Sequence, residues 1–357
     1  MALTSERPRA ATPAPSPGRA SASTRAVGLV VAVAVLALLV LASLALGARS
    51  VPFGRVIDLL TVAGSSPEAA TPDGIVVRQL RVPRTLLGLE VGCALALAGV
   101  VLQSVTRNPL ADAGLLGVNA GAVAAVVTAI SVFGIATLTG YVWFAFAGAA
   151  LALLVVYGIA ALGRGGISPT RLVLAGVAVT AALESAVSAL SLRDSAALEQ
   201  YRAWVVGSLS GRDLDVVLQI TPFLAVGGVL ALASARALNA LALGEDVARS
   251  LGGHVGRTRA ASAGAVVLLA GGATAAVGPI AFVGLAVPHL ARLLVGPDLR
   301  WLLPYSAVFG ASLLLLADVL GRLVVRPGEL QVGILTALVG APLLIVLVRR
   351  LRVAGPV

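Results

Sequence analysis

Apolar runs recur along this chain from Ala26 to Val348, most of them about 20 residues long and joined by short polar connections. A helix of ~20 residues is ~30 Å long, enough to cross the hydrocarbon core of a bilayer. Within lipid each backbone amide needs a partner inside the protein, which a helix supplies from its own segment. An all-α polytopic membrane protein with about ten transmembrane helices is therefore expected. The candidate spans are Ala26–Gly47, Pro83–Ser104, Leu115–Phe133, Tyr141–Leu162, Leu172–Leu192, Val216–Ala235, Ala260–Val277, Ile280–Val295, Leu302–Leu323 and Val332–Val348. An even number of crossings places both termini on one side.

Composition removes several functions. Only 12% of residues are charged against 59% hydrophobic, too little polar surface for a soluble domain of this length. All 26 basic residues are arginine. Without lysine no phosphate-binding loop of the GxxxxGK[ST] type can exist, so ATP hydrolysis by that machinery is excluded. The net charge of +10 sits mostly in short loops, where the positive-inside bias explains it better than nucleic acid does. Alternating assignment of the loops puts about 16 arginines inside and about 10 outside, which favours cytoplasmic termini but leaves the outer face unusually basic. The single cysteine, Cys93, lies in an apolar run, and His254 and His289 are far apart, so neither a disulfide framework nor a metal site is indicated.

Residues 1–25, rich in Pro, Ala and Ser, are expected to be a disordered cytoplasmic tail. The membrane domain then covers 26–350, with a short tail at 351–357. Residues 48–80 form a polar outer segment with a short helix near Val51–Leu60, and 193–214 a second outer connection. Residues 236–259 are the longest inner connection, with a short helix expected at Glu245–Leu251 between Gly244 and Gly252-Gly253.

The stretch from Arg81 to Gly121 gathers these signals. Arg81-Val82-Pro83-Arg84 precedes a span, with Pro83 suited to a first helical turn. Gly88, Gly92 and Ala96, and then Gly117 and Gly121, recur at four-residue spacing, a smooth stripe for close helix packing in lipid. Asn108-Pro109 breaks the chain before Gly114. A weak echo follows: Arg257-Thr258, a Gly/Ala-rich run, Gly278-Pro279 and Gly284 repeat the order Arg84-Thr85, span, Asn108-Pro109, Gly114. In a ten-span topology the two copies run in opposite directions, as inverted repeats do.

Six segments in order resemble the FecCD-type permeases of ABC importers: RVPRT (81–85), NPLADAGLLGVNAGA (108–122), GEDVARSLG (244–252), GPIAFVGLAVPHLARLLVG (278–296), ADVLGR (317–322) and ELQVGILTALVGAPLLIVLVRR (329–350). The resemblance implies a ten-helix permease in the cell membrane. It would work as a pair with a second permease subunit, identical or paralogous. Its further partners would be two cytoplasmic ATPase subunits, which hold the ATP and Mg, and an extracytoplasmic binding protein. No cofactor is expected on this chain and no enzymatic activity. The expected cargo is a ferric siderophore, with haem and cobalamin as alternatives. A secondary transporter is the reading from another class, and an intramembrane enzyme lacks a catalytic constellation.

The resemblance also implies roles for residues. Arg81, Arg84 and Arg322 match positions that receive carboxylates of the binding protein, a task suited to the bidentate guanidinium. Arg78 and Arg326 are nearby secondary candidates, and an i,i+4 pair of Arg322 with Asp318 is the plainer reading. Gly244, Glu245, Asp246, Ala248, Arg249, Leu251 and Gly252 match the helix that couples to the ATPase. Asn108, Pro109, Gly114 and Gly117 read as a gate or inner loop, or simply as a capped turn. Glu184 is a pathway candidate and Glu90 a second intramembrane carboxylate, both costly enough in lipid to merit a role. His289, after Pro288, reads as structural.

Overall fold

The computed structural model describes residues 21–47, 49–61, 66–135, 137–162, 169–191, 204–325 and 328–353. Among them no strand occurs and the secondary structure is helical. The helices are α1 (Ala22–Ala45), α2 (Phe53–Thr61), α3 (Pro72–Thr106), α4 (Val118–Phe133), α5 (Leu138–Ala161), α6 (Pro169–Ser191) and α7 (Leu214–Ala233). They continue with α8 (Ala235–Ala242), α9 (Glu245–Ser250), α10 (Val255–Val277), α11 (Val283–Val295), α12 (Leu299–Val324) and α13 (Val332–Val353). Each expected span coincides with one of them. Among the described residues seven (α1, α3, α5, α6, α7, α10 and α12) are long and apolar enough to cross a membrane, while α4, α11 and the apolar part of α13 are shorter. The expected tails 1–25 and 351–357 lie largely outside the described residues, as do Arg326 and much of the 193–214 connection. Where they are described, helix replaces tail: α1 starts at Ala22, capped by Ser21, and α13 runs to Val353.

Helix α3 occupies the centre, packed on α12, α11, α7, α10 and α1. It begins at Pro72, eleven residues before the expected Pro83, with the Thr71 hydroxyl capping the Gly74 N–H. Pro83 is therefore inside a helix and not in its first turn. The preceding turn widens to accommodate this: over Val76–Arg81 the bonds skip five residues, and the Val82 N–H reaches the Val77 carbonyl. A widened turn tolerates a proline that a regular helix interior would resist. A second widened turn, Val267–Gly271, lies inside α10.

Backbone contacts set the closest packing. A Cβ at Gly92 would meet the Gly310 carbonyl at 2.4 Å, and one at Gly121 would meet that of Gly148 at 2.3 Å. Gly99 sits against Gly284, outside the four-residue register expected from sequence. Gly117 is not on a packing stripe: its φ of 75° starts α4 in the left-handed region, where glycine alone is unstrained.

The two segments that echo each other in sequence exchange partners. The Gln103 amide on α3 donates to the Gly284 carbonyl at 3.1 Å and accepts from Arg292 on α11 at 3.1 Å. In the opposite sense Thr274 on α10 donates to Asn119 on α4 at 3.4 Å. Each unit's first helix is thus tied to the other's second. Arg81, the end of α1 and the end of α12 share one face of the bundle. The start of α12, the start of α1 and α8–α9 share the opposite face.

Candidate functional site

At the first face, α1 ends with carbonyls that have no partner within the helix. Two arginines occupy them. Arg81, 5% exposed, donates Nη1 to the Leu44 and Ala45 carbonyls at 2.8 Å each and Nη2 to the Arg49 carbonyl. Arg322, 2% exposed, donates Nη1 to the Ser43 and Leu46 carbonyls at 3.0 Å each and Nη2 to the Ser43 hydroxyl at 2.9 Å. Cationic groups at the negative end of a helix are favourable both as donors and through the dipole. Both arginines line a cavity at this face, and their donors satisfy α1 carbonyls. Arg78 acts likewise, donating to the Leu59 carbonyl in the last turn of α2 at 3.0 Å.

Arg84 is placed differently. Its Nε and Nη2 meet Asp318 at 2.9 and 2.8 Å, and its Nη1 meets Glu329 at 2.7 Å. Asp318, 1% exposed, also takes Arg322 at 2.9 Å, so Glu329, Arg84, Asp318 and Arg322 form a chain of alternating charge. Each buried charge has an opposite neighbour, the condition under which such groups are tolerated. Glu329 is about a third exposed, at 35%. A cavity of about 390 Å³ opens over the cluster, lined by Arg49, Arg84, Arg212 and Glu329 among others. Sequence reasoning found the i,i+4 pair of Asp318 and Arg322 but not Glu329, which lies between α12 and α13.

At the opposite face, α9 is six residues long and starts after Gly244 (φ 124°). Gly252 at φ 80° and Gly253, whose N–H reaches the Ala248 carbonyl at 2.8 Å, close its far end. Ala248 is buried and anchors it. Glu245 takes Arg249 at 3.1 Å and also Arg259 of α10; Asp246 takes Arg249 at 3.1 Å. Two residues were missed. Leu243 and Val247 join Leu251 at four-residue spacing, and all three are exposed. The i, i+4, i+8 pattern was readable, but in a chain this apolar it attracts no notice.

The Asn108-Pro109 break is a capped turn. Arg107 ends α3 in the left-handed region, the Asn108 Oδ1 accepts from the Leu110 N–H at 3.0 Å, and Asp112 accepts from the Gly114 N–H at 3.1 Å. Gly114 and Glu184 meet across a cavity of about 350 Å³ together with Asn119, Thr180 and Pro279. Glu184 is exposed on α6. Glu90 is not in that cavity; it accepts from Thr221 of α7 at 2.7 Å within the bundle. His289 is half-buried on α11. The second break contains a strained residue, Phe282, left-handed at φ 70° and packed against Gly340 of α13.

The family model described as the FecCD transport family matches residues 35–350. Among curated proteins, the chain is 45% identical to the ferric enterobactin transport system permease protein FepD of Escherichia coli (strain K12), over 92% of this chain and 97% of that protein. It is 37% identical to the probable siderophore transport system permease protein YfiZ of Bacillus subtilis (strain 168), with the same coverages. It is 39% identical to the hemin transport system permease protein HmuU of Yersinia pestis, over 76% of this chain and 83% of that one. A solved structure described as an inward-facing metal-chelate type ABC transporter superposes with a TM-score of 0.77 at 30% identity, covering 91% of this chain and 99% of that one.

Proposed function

This chain belongs to the FecCD transport family of ABC importer permeases, and we propose that its cargo is a ferric siderophore. The observation that carries the reading is the 45% identity to a ferric enterobactin permease along almost the whole of both chains. Haem and cobalamin are the second reading, favoured by relatives named for those cargoes at 39% and 38% identity.

In this reading the chain forms the translocation pathway as a dimer, with both termini and α9 in the cytoplasm and the arginine cluster outside. The exposed Leu243, Val247 and Leu251 seat in an apolar groove of the ATPase subunit, and the glycines at either end of α9 let it move as a unit. Closure of the ATPase pair on ATP would shift α9 and so bias which side of the pathway is open. At the other face the binding protein docks over the arginine cavity. Arg84 makes the contact, because its partner Glu329 is reachable by solvent and can exchange with an incoming carboxylate. Arg81 and Arg322 hold the floor. Glu184, Gly114 and Gly117 line the pathway, and the Asn108-Pro109 turn keeps that wall in place. Contacts in the pathway are weak, since a tight site would retain the cargo.

Uptake by cells lacking this gene tests the cargo. Radiolabelled ferric siderophore uptake should disappear and return with the wild-type gene, while haem and cobalamin uptake stay unchanged. Loss of haem or cobalamin uptake with ferric siderophore uptake intact would overturn the assignment. Arg84→Gln should lower uptake at least about tenfold with normal membrane insertion; normal uptake would remove Arg84 from docking.

A further inference from the structure

A groove of about 440 Å³ lies between α1, the end of α11 and α12, on the face away from the arginine cluster. Its polar end is formed by Thr24 and Arg25, and its walls by Val31, Val35, Leu294 and Phe309. Tyr305 closes the top by donating to the Arg25 carbonyl at 2.6 Å, an approach that Gly28 makes possible: a Cβ there would stand 2.4 Å from the tyrosine oxygen.

Arg25 is the unexplained group. Its Nε is buried and makes no hydrogen bond, and among the described residues no carboxylate lies within ion-pairing distance. Asp298, whose charge Arg25 feels, lies beyond ion-pairing distance, and one of its oxygens is already engaged. Its Oδ1 caps the Arg300 N–H at 3.1 Å and takes the Asn239 amide at 2.8 Å. A cation is therefore left facing a groove with apolar walls. Those walls can be reached from the membrane, since Val31 and Val35 are exposed. From Arg25 to Val35 is ten residues of helix, about 15 Å, or half of the ~30 Å hydrocarbon core. One charged end and one leaflet's depth of apolar wall match one kind of molecule. The first turn of α1 adds the positive end of a 24-residue helix.

We infer that this groove holds an anionic phospholipid, its phosphate on Arg25 and one acyl chain along Val31, Val35 and Phe309. Basic pockets between helices at a membrane surface suit such headgroups. The site is separate from the pathway and does not depend on the cargo.

The test is native mass spectrometry of the purified full chain, titrated with phosphatidylglycerol or phosphatidylcholine of matched acyl chains. The wild type should prefer phosphatidylglycerol by about fivefold, the worth of one basic residue at an anionic surface. Arg25→Gln should erase the preference and Arg25→Lys keep most of it. Val35→Trp, at an exposed position, should block binding of both lipids, with melting temperatures confirming that all variants are folded. Equal binding of the two lipids, or a preference that survives Arg25→Gln, would overturn the inference. So would stronger lipid binding after removal of residues 1–20, which would make the chain's own N-terminal segment the occupant. Dimerisation lost in Val35→Trp would instead assign the groove to a second copy.

Discussion

Arg81 and Arg322, buried, and Arg84, partly buried, fasten α1, α3 and α12 to one another, the last two through Asp318. Glu245, Asp246 and Arg249 lie on a six-residue helix at the opposite face, the last two exposed and Glu245 half-buried, paired with one another and with Arg259. Both groups carry similar numbers of charges, and both read from sequence as places where a partner docks. Their burial separates them. A charge removed from water is held by every neighbour it has, so the first cluster is part of the fold. A charge left in water is screened and replaceable, so the second is free to be rearranged by whatever binds it.

The comparison breaks first at Asp318. Asp318→Asn leaves Arg84 and Arg322 without their shared anion and should cost about 3–5 kcal/mol, the usual penalty for an uncompensated buried charge. Thermal unfolding in detergent measures it, and an unchanged transition would mean that water reaches the cluster. Glu329→Gln should cost about 1 kcal/mol or less, because that carboxylate is partly solvated. It sharpens the contrast within a single chain of charges, one deep and one at the rim.

Glu245→Gln removes the carboxylate that both Arg249 and Arg259 contact, yet should move the unfolding transition by less than about 1 kcal/mol. Uptake should nevertheless fall several-fold if α9 couples to the ATPase. A variant that is both fully active and fully stable would leave those pairs without a function. Asp298 gives the smallest effect. Burial resists ionisation there, but hydrogen bonds from the Arg300 N–H and Asn239, with the nearby Arg300 and Arg25, outweigh it and hold the carboxyl below its usual range. A depressed folded value means that the stabilisation is present above the unfolded pKa of 3.8 and disappears as pH falls through the lower folded value. Melting temperatures should show wild type slightly the more stable above pH 3.8, with its advantage over Asp298→Asn closing as pH falls further.

The helices were legible because each apolar run records its own length. The start of α3 was not, because residues 72–81 carry Asp73, Arg78 and Arg81 and read as a solvated loop. What buries Arg81 is the end of α1, 36 residues away, and nothing local to Arg81 announces a set of unpartnered carbonyls. The same holds for Arg322 and Ser43, 279 residues apart. Charged residues are normally exposed, so sequence reasoning placed these two at the surface. The short helix between Gly244 and Gly252 was readable in full, since glycines and polarity mark it locally. Its exposed neighbours Leu243 and Val247 were not singled out, because apolarity distinguishes nothing in a membrane chain.

The glycine contacts on α3 have a mechanical consequence. At Gly92 against Gly310, and at Gly99 against Gly284, peptide backbones touch with no side chain between them. Side chains can swing between rotamers and let two rods glide; bare backbones interlock like gear teeth. Helices α3, α11 and α12 are thereby packed as one block. Such teeth are absent at the ends of α9, where a Cβ at Gly252 would meet nothing within 4 Å and one at Gly244 only the tip of Val247.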